Sequence, residues 1–301
     1  MKFSIVIPTL NNINYLELCI KSIRKNSSYD HEIIIHNNGD EEPLKSFLDE
    51  YKVVYSKTKY NAGICEGVNK GAKLATTNYI VYAHDDFYFL PGWDTALKNE
   101  IEDLNHNYYY FSGTMVQNGQ VNFDCGDTIE NFDENKLLKN NEIINYFDFQ
   151  GSTWAPHIIH KDLWNKVGGF SEEFFPGTGS DPDLNMKLWN EGVRIFKGVG
   201  KSKVYHFGSI VTRKKFKKNK NIKTESGSKG GKIFLKKWGF SIKFFTKYYL
   251  RGCKTTKFKK IICNKYDGPL KEPYKNLFYY TNLLIDKTKR LLISDEIYKK
   301  K

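Results

Sequence analysis

Short apolar runs of strand length alternate with segments of helical period through the first half of the 301-residue chain. Strand–helix alternation with nearly continuous apolar strands is typical of a parallel sheet that helices cover on both faces. The chain is therefore predicted to have an α/β fold. The pattern predicts strands at residues 3–7, 32–35, 53–55, 79–83 and 108–115, and helices around residues 16–23, 64–75, 161–167, 183–191, 232–249 and 274–292.

Polar side chains follow three of these predicted strands directly. In parallel α/β sheets, ligands bind beyond the carboxyl ends of the strands, where the connecting loops gather. We therefore expect the three polar clusters to open onto one rim and to form one site. The clusters are Pro8 and Thr9 with Asn11 and Asn12, then Asn37 and Asn38 with Gly39 and Asp40, and then His84, Asp85 and Asp86.

The third cluster contains two adjacent carboxylates, Asp85 and Asp86, at the end of an apolar strand. Their repulsion is relieved when a divalent cation lies between them and solvent, and their hard oxygen ligands suit Mg²⁺ or Mn²⁺. A helix N-cap or a solvated turn accounts for an aspartate at this position equally well. These residues alone therefore leave metal binding and capping open.

Charge divides the chain into two parts. Residues 1–200 contain 18 Lys and Arg against 28 Asp and Glu, whereas residues 201–301 contain 29 against 6. Such a split predicts an ordinary domain followed by a segment that meets an anionic partner.

Other features of the composition concern the compartment. No apolar run is long enough to span a bilayer, and the first apolar stretch is too short for a secretory signal. The five cysteines are scattered without a C-x-x-C pair, which indicates neither a zinc site nor a disulfide framework. We therefore expect a reducing, cytoplasmic compartment.

An ordered series of motifs resembles family 2 glycosyltransferases, which have the GT-A fold. The series comprises residues 4–9 (Ser-Ile-Val-Ile-Pro-Thr), 37–39 (Asn-Asn-Gly), 61–71, 84–86 (His-Asp-Asp) and 91–93 (Pro-Gly-Trp). The resemblance covers roughly residues 3–240. It implies a GT-A-like, Rossmann-type, mostly parallel sheet flanked by helices at residues 1–240, followed by a basic, largely helical extension at residues 241–301.

The resemblance also implies a donor site with a divalent metal, Mn²⁺ or Mg²⁺, on the diphosphate. Asp86 is the first choice as metal ligand, and Asp85 is the second. His84 replaces the usual Asn or Asp, and His206 matches a metal-binding histidine of some relatives. Asn37 replaces the usual uracil-contacting Asp, so the nucleotide stays open with uridine as the default. The implied nucleotide-sugar contacts are Pro8, Thr9, Asn37, Asn38, Asn61, Gly63, Asn69 and Asp85.

A second family signature follows the Gly-Gly-Phe turn at residues 168–170. Asp181 matches the general base of the family, although Ser180 replaces the usual Glu before it, and Asp183 is the fallback. Either aspartate could instead cap the helix that follows. Because a single displacement needs no carboxylate nucleophile, inversion is the expected outcome. Trp154 has two interpretations, a stacking surface for the acceptor sugar or a core aromatic.

The basic C-terminal segment leaves several alternatives open. Residues 212–218 either fold over the donor phosphates or form a solvated loop. The Lys-Trp-Gly at residues 237–239 resembles a segment that closes the catalytic domain in the family. Residues 242–250 mix cations with aromatics, which suits an anionic membrane surface, a single-stranded nucleic acid or a face that packs on the catalytic domain. Of these partners, nucleic acid is the least expected.

We therefore expect an inverting glycosyltransferase. It would move a sugar from a nucleotide-diphosphate sugar, by default UDP-linked, to an acceptor hydroxyl on a glycan, glycolipid or glycoprotein, with peripheral association at an anionic membrane as a further expectation. The alternative is a non-catalytic nucleic-acid or anionic-surface binding protein that acts through the basic segment. A nucleotidyltransferase would open with a Gly-rich phosphate loop that ends in Arg, whereas the first strand here ends in Pro8 and Thr9.

Overall fold

The computed structural model describes residues 1–208, 221–255 and 261–298, and helices and strands alternate along them. The strands of the main sheet are β1 (Ser4–Thr9), β2 (Glu32–Asn37), β3 (Val53–Lys57), β4 (Tyr79–Tyr82), β5 (Phe87–Phe89), β6 (Tyr109–Val116), β7 (Phe149–Gln150), β8 (His157–His160) and β9 (Ile195–His206). A hairpin of β10 (Lys254–Thr255) and β11 (Ile261–Ile262) follows. The helices are α1 (Ile13–Asn26), α2 (Lys45–Glu50), α3 (Gly63–Ala72), α4 (Trp93–Glu102), α5 (Glu134–Lys139), α6 (Lys161–Val167), α7 (Ser180–Asn190), α8 (Asn221–Trp238), α9 (Ile242–Phe245) and α10 (Leu277–Leu291).

Within the described residues the sheet has nine strands, in the order β3-β2-β1-β4-β8-β6-β9-β5, and β7 pairs with β9. The strands β1 to β4 are parallel to one another, as the sequence predicts. In the other half, β8 pairs antiparallel with both β4 and β6, and β5 pairs antiparallel with β9. The sheet is therefore mixed, and its parallel part is the half whose strands are nearly continuous apolar runs.

Helix α3 packs closely against the strand ends because two of its residues at four-residue spacing are glycines. A Cβ atom on Gly71 would lie 2.5 Å from the Val6 side chain, and one on Gly67 would lie 3.3 Å from Cβ of Pro8. Residues four apart lie on the same face of a helix, so Gly67 and Gly71 form one smooth face toward β1 and β2, whereas Gly63 at the start of the helix lies against Phe175. This face brings the N-terminus of α3 to the carboxyl edge of β1 and β2.

The C-terminal residues pack on the α/β part of the chain. The prediction of one helix over residues 232–249 is wrong, because Gly239 adopts a left-handed φ of +83° and separates α8 from α9. Phe244, Phe245 and Leu250 are buried in the same apolar core as the sheet. Of the three interpretations of residues 242–250, the structure supports packing. Because Phe244 and Phe245 are buried, they offer no exposed surface to a membrane or a nucleic acid. The boundary at residue 240 stays a prediction.

A disulfide joins Cys253 and Cys263, and the expectation that the cysteines form no disulfide is therefore wrong. The two residues lie ten positions apart, and the antiparallel hairpin of β10 and β11 brings them together. Spacing along the chain does not reveal such a pairing. Cys19, Cys65 and Cys125 are buried free thiols. With the disulfide present, the cysteines give no argument for a reducing compartment.

One further observation concerns all the described helices, and one further expectation concerns the C-terminal part. None of the helices within the described residues is long and apolar enough to cross a membrane. Residues 212–218, which are predicted to fold over the donor phosphates or to form a loop, lie outside the described residues.

Candidate active site

The polar clusters after β1, β2 and β4 meet at one rim of the sheet, as the sequence predicts. The backbone N–H of Asn38 donates to the carbonyl oxygen of Thr9 over 2.8 Å. The Thr9 hydroxyl donates to Oδ2 of Asp85 over 2.7 Å, and Oδ1 of Asn11 accepts from the N–H of Asp40 over 2.9 Å. Parallel pairing of the strands is the reason, because it places all three carboxyl ends at the same edge.

His84, Asp86 and His206 form a cluster at this rim. One potential ligand atom from each residue lies within 4.8 Å of the others. Oδ2 of Asp86 is 3.7 Å from Nε2 of His206, and Oδ1 of Asp86 is 4.0 Å from Nδ1 of His84. His206 reaches Asp86 because β5, which follows Asp86 directly, pairs antiparallel with the end of β9 so that Phe87 lies opposite His206.

The three side chains are held in place and suit a divalent cation. The His84 ring stacks on Phe87 with centroids 4.7 Å apart, and the Asn118 amide donates to the carbonyl oxygen of His206 over 2.9 Å. Burial lowers the pKa of His84 to about 4, although the charge of Asp86 opposes the change. Its imidazole is therefore neutral near pH 7, with a lone pair free for a metal. One carboxylate with two imidazoles suits Mn²⁺ better than Mg²⁺.

Asp85 differs from its neighbour in its surroundings. The pKa of Asp85 is raised to about 7, because burial and then the charge of Asp86 raise it by more than the hydrogen bond from Thr9 lowers it. Asp86 lies beside the two histidines, whereas Asp85 is hydrogen-bonded to the end of β1. The two adjacent carboxylates therefore have separate surroundings at the rim.

Asp181 lies in the first turn of α7, and its charge acts on the same phenol, Tyr82, as the charges of Asp85 and Asp86. Its Oδ1 atom is buried and accepts no hydrogen bond from the residues that the structure describes. Burial raises the pKa of Asp181 to about 7. Burial also raises the pKa of the Tyr82 phenol, and the charges of Asp181, Asp85 and Asp86 raise it further. All three carboxylates therefore lie near one phenol at the end of β4.

Asp183, two residues later, is fully buried and bound to the C-terminal segment. It accepts hydrogen bonds from the Ser171 hydroxyl over 2.6 Å and from the Trp238 indole N–H over 2.8 Å. The Lys237 ammonium lies 2.9 Å from its Oδ1. Neither aspartate caps α7, because Gly179 occupies the N-cap position in a left-handed conformation. Asp183 therefore anchors α8, whereas Oδ1 of Asp181 accepts no hydrogen bond from the described residues.

The model of glycosyl transferase family 2 matches residues 4–157, slightly more than half of the chain, and these include β1, β2, β4 and the His-Asp-Asp cluster. The chain belongs to glycosyl transferase family 2. Among curated relatives, the uncharacterized glycosyltransferase YwdF of Bacillus subtilis is 35% identical over 104 residues, which are 34% of this chain and 39% of that protein. The GalNAc(5)-diNAcBac-PP-undecaprenol beta-1,3-glucosyltransferase of Campylobacter jejuni is 26% identical over 200 residues, 63% of this chain and 60% of that protein.

The match thus spans less than two thirds of the length of either relative. Among solved structures, S. aureus TarS 1-349 superposes with a TM-score of 0.51 at 16% identity, over 68% of this chain and 60% of that chain. GalNAc-T7, solved with UDP, GalNAc and Mn²⁺, gives a TM-score of 0.53 at 17% identity, over 68% of this chain and 44% of that chain. These two likenesses show a shared fold.

In this glycosyl transferase family 2 member, Asn37 stands at the predicted uracil-contacting position. Its side chain is hydrogen-bonded within the turn that follows β2. Its amide donates to the carbonyl oxygen of Glu41 over 2.6 Å and to the Tyr55 hydroxyl over 2.9 Å. Its side-chain oxygen accepts from the N–H of Gly39 over 2.8 Å. Asn37 therefore shapes the loop after β2. The next residue, Asn38, donates its amide to the carbonyl oxygen of Gly63 over 3.2 Å and links the loop to α3.

Asn61, Gly63 and Asn69 are predicted to contact the nucleotide sugar. Of these, the structure brings only Asn61 and Gly63 to the rim. Asn61 accepts a hydrogen bond from the N–H of Gly63 over 3.0 Å at the start of the helix. Asn69 lies about 9 Å further along the axis at 1.5 Å per residue. Its amide exchanges two hydrogen bonds of 2.9 Å with the backbone of Phe170. Asn69 therefore joins α3 to the Gly-Gly-Phe turn and does not line the rim.

Trp154 is partly buried and packs against the core. Its ring stacks on Phe149 with centroids 6.3 Å apart and an interplanar angle of 27°. This placement agrees with the core interpretation, and the acceptor role stays a prediction.

Sequence reasoning missed the residues that hold the site together. The Tyr82 ring lies 5.4 Å from the His84 ring, Phe87 stacks on the His84 ring, and Asn118 positions the end of β9. An aromatic after an acidic pair is a weak signal for Phe87. Asn118 has a left-handed φ of +53°, which Asn tolerates better than most residues, but the sequence does not say which strand end its turn meets.

Proposed function

We propose that this family member transfers a sugar from a nucleotide-diphosphate sugar to an acceptor hydroxyl with inversion at the sugar carbon. One observation supports the proposal above the others. His84, Asp86 and His206 form a potential cation site at the same rim as Asp181, a carboxylate of raised pKa with an oxygen that accepts no hydrogen bond from the described residues.

We infer a UDP-linked donor at the edge formed by Pro8, Thr9 and Asn38. The Thr9 hydroxyl already donates to Asp85, so these two residues would present a joined polar surface to the nucleotide. GalNAc-T7, which shares the fold, is solved with UDP and Mn²⁺, and S. aureus TarS 1-349 is solved with UDP-GlcNAc. The same class of donor is therefore the first to test.

Asp86, His84 and His206 would hold the divalent cation, most simply Mn²⁺. A bound cation offsets the negative charge that builds on the departing diphosphate. The neutral His84 ring needs no further proton loss near neutral pH to act as a ligand. Asp85, beside Thr9, would face the nucleotide side.

Asp181 would act as the general base. The acceptor hydroxyl loses its proton as its oxygen attacks the sugar carbon, and a carboxylate oxygen of Asp181 accepts that proton. A pKa of about 7 leaves the group close to half ionised at neutral pH, which suits a base working there. Asp183 is paired with Lys237 and Trp238, so Asp181 would be the one carboxylate of this helix that takes part. With one carboxylate as base and none as nucleophile, the reaction would be a single displacement, which inverts the sugar carbon.

The acceptor is proposed to be a hydroxyl of a glycan, glycolipid or glycoprotein. The Campylobacter relative is named for a PP-undecaprenol-linked acceptor, so a glycolipid is the first class to test. In this proposal residues 1–240 form the catalytic unit, and residues 241–301 form an extension that packs on it.

Thermal unfolding with a panel of nucleotide sugars tests the proposal, each with Mn²⁺ and with chelator. A preferred donor at a hundredfold excess over its Kd should stabilise the fold by about 2.7 kcal/mol, and only with metal present. Asp86→Ala should abolish this stabilisation. Asp162→Ala, which changes a carboxylate that is 86% exposed away from the rim, should keep it. If no donor stabilises the wild type, or if the effect survives chelator and Asp86→Ala, the proposal is wrong.

A further inference from the structure

Helix α10 buries one face and exposes an apolar one. On the inner face, the Asp286 carboxylate accepts hydrogen bonds from the N–H and the hydroxyl of Ser241, over 2.8 and 2.7 Å. Tyr279 packs on Phe244 with ring centroids 4.9 Å apart. The outward apolar residues, called the outer ridge below, are Leu277, Phe278, Leu284, Ile285, Leu291 and Leu292.

The outer ridge extends along the whole helix in two rows, with the exposed side chains of Thr281 and Thr288 between them. Its members recur at seven-residue intervals, two turns of an α-helix, and therefore lie on one face. Their side chains are between 44% and 85% exposed. Single exposed apolar side chains are ordinary on protein surfaces, whereas a contiguous stripe of large ones marks a surface that meets another apolar phase.

Lysines border the outer ridge on both sides. At about 100° of rotation per residue, Lys287 falls about 40° beyond Leu291 on one side, and Lys289 falls about 20° beyond Phe278 on the other. Both lysines are exposed. Asp286 is the sole acidic residue of positions 273–294, and it faces inward to Ser241. The exposed face of α10 therefore carries two apolar rows with threonines between them, and it is cationic along both edges.

We propose that the outer ridge docks on an anionic lipid bilayer. The apolar side chains would enter the boundary between headgroups and acyl chains, while the lysine stems extend their ammonium groups to anionic headgroups. A second copy of the chain fits this face less well, because two such ridges would bring like-charged lysine edges together. The 15-residue helix is about 22 Å long, shorter than the ~30 Å hydrocarbon core, so it would lie on the surface.

Contacts connect this face to the active-site helix. Asp286 binds Ser241, and Trp238, three residues before Ser241, binds Asp183 on α7. Docking would therefore link α7, the helix that carries Asp181, to a helix held at the bilayer, where glycolipid acceptors lie. This consequence rests on the proposed function, whereas the docking itself does not. The surface differs from the aromatics of residues 242–250, which are packed inward.

Flotation of the full chain with phosphatidylcholine vesicles, with and without phosphatidylglycerol, tests the proposal. The wild type should bind the anionic vesicles, and salt should weaken the binding. The double variant Leu284→Asp/Leu291→Asp should lower the partition coefficient at least about tenfold. Lys287→Gln/Lys289→Gln should lower it about fivefold for each lysine lost. Ile143→Asp, at a side chain that is 71% exposed on the catalytic unit, should bind as the wild type does.

The outcomes separate this proposal from the proposed function. Donor-induced stabilisation should be the same in every variant, which also checks that each one folds. Absence of binding by the wild type, or unchanged binding by the ridge variant, would overturn the docking proposal. So would a concentration-dependent dimer that the ridge variant loses without any vesicle binding. Vesicle binding without donor stabilisation would contradict the proposed function alone.

Discussion

Replacing Asp181 by asparagine should raise stability and abolish turnover in the same variant. Burial raises the pKa of this carboxyl from 3.8 to about 7. Ionising it therefore costs about 4 kcal/mol more in the folded than in the unfolded chain, at 1.36 kcal/mol per pKa unit. Because the side chain is partly exposed, solvent screening reduces the figure to about 2 kcal/mol.

The sign follows from proton binding. Since the folded pKa is raised, the unfolded chain loses its proton first as pH rises, and stability falls between about pH 4 and pH 7. Asparagine is uncharged and avoids this loss. In urea unfolding, Asp181→Asn should be more stable than the wild type by about 2 kcal/mol near pH 8, and the gain should shrink as pH falls toward 4.

Activity should change in the opposite direction. The wild-type transfer rate should rise with pH through about 7 as the base ionises, and Asp181→Asn should lose about 10²- to 10⁴-fold in rate. The control is Asp183→Asn, which weakens the partner of Lys237 and Trp238 and should destabilise the fold by about 1–3 kcal/mol. The reasoning is refuted if Asp181→Asn turns over within tenfold of the wild type or is less stable near pH 8.

Two further substitutions test the packing that positions the site. Trp238→Phe removes the indole N–H that Asp183 accepts, so urea unfolding should show a loss of about 1–2 kcal/mol; an unchanged midpoint would mean that Ser171 and Lys237 suffice. Gly71→Ala places a methyl 2.5 Å from the Val6 side chain and should lower the free energy of unfolding by about 1–3 kcal/mol. In Gly231→Ala of α8 the methyl meets nothing within 4 Å, so this control should be neutral or stabilising by up to about 1 kcal/mol. Equal effects of the two alanines would show that α3 does not pack as closely as described.

The local elements could be predicted from the sequence because their signals lie within a few residues. The parallel strands β1 to β4 coincide with the apolar runs, and α6 has the predicted bounds of residues 161–167. The meeting of Thr9, Asn38 and Asp85 at one rim follows from the same pattern, since parallel strands align their carboxyl ends. The family resemblance adds His206, which no local pattern connects to Asp86.

Other features depend on contacts between distant parts of the chain. Asp181 and Asp183 have the same side chain two positions apart, yet only Asp183 meets Trp238 and Lys237, 54 and more residues away. The pairing of β5 with β9 brings His206 to Asp86.

The sequence by itself determined the α/β class, the parallel half of the sheet and the residue types at its rim, because periodicity and turn residues act within one or two helical turns or strands. Contacts between distant segments set the pairing of Asp183 with Lys237 and Trp238, the disulfide between Cys253 and Cys263, the burial of the aromatics of α9 and the outward apolar side of α10. The physical reason is that pKa, burial and exposure are set by whatever packs against a residue, and those neighbours come from anywhere along the chain.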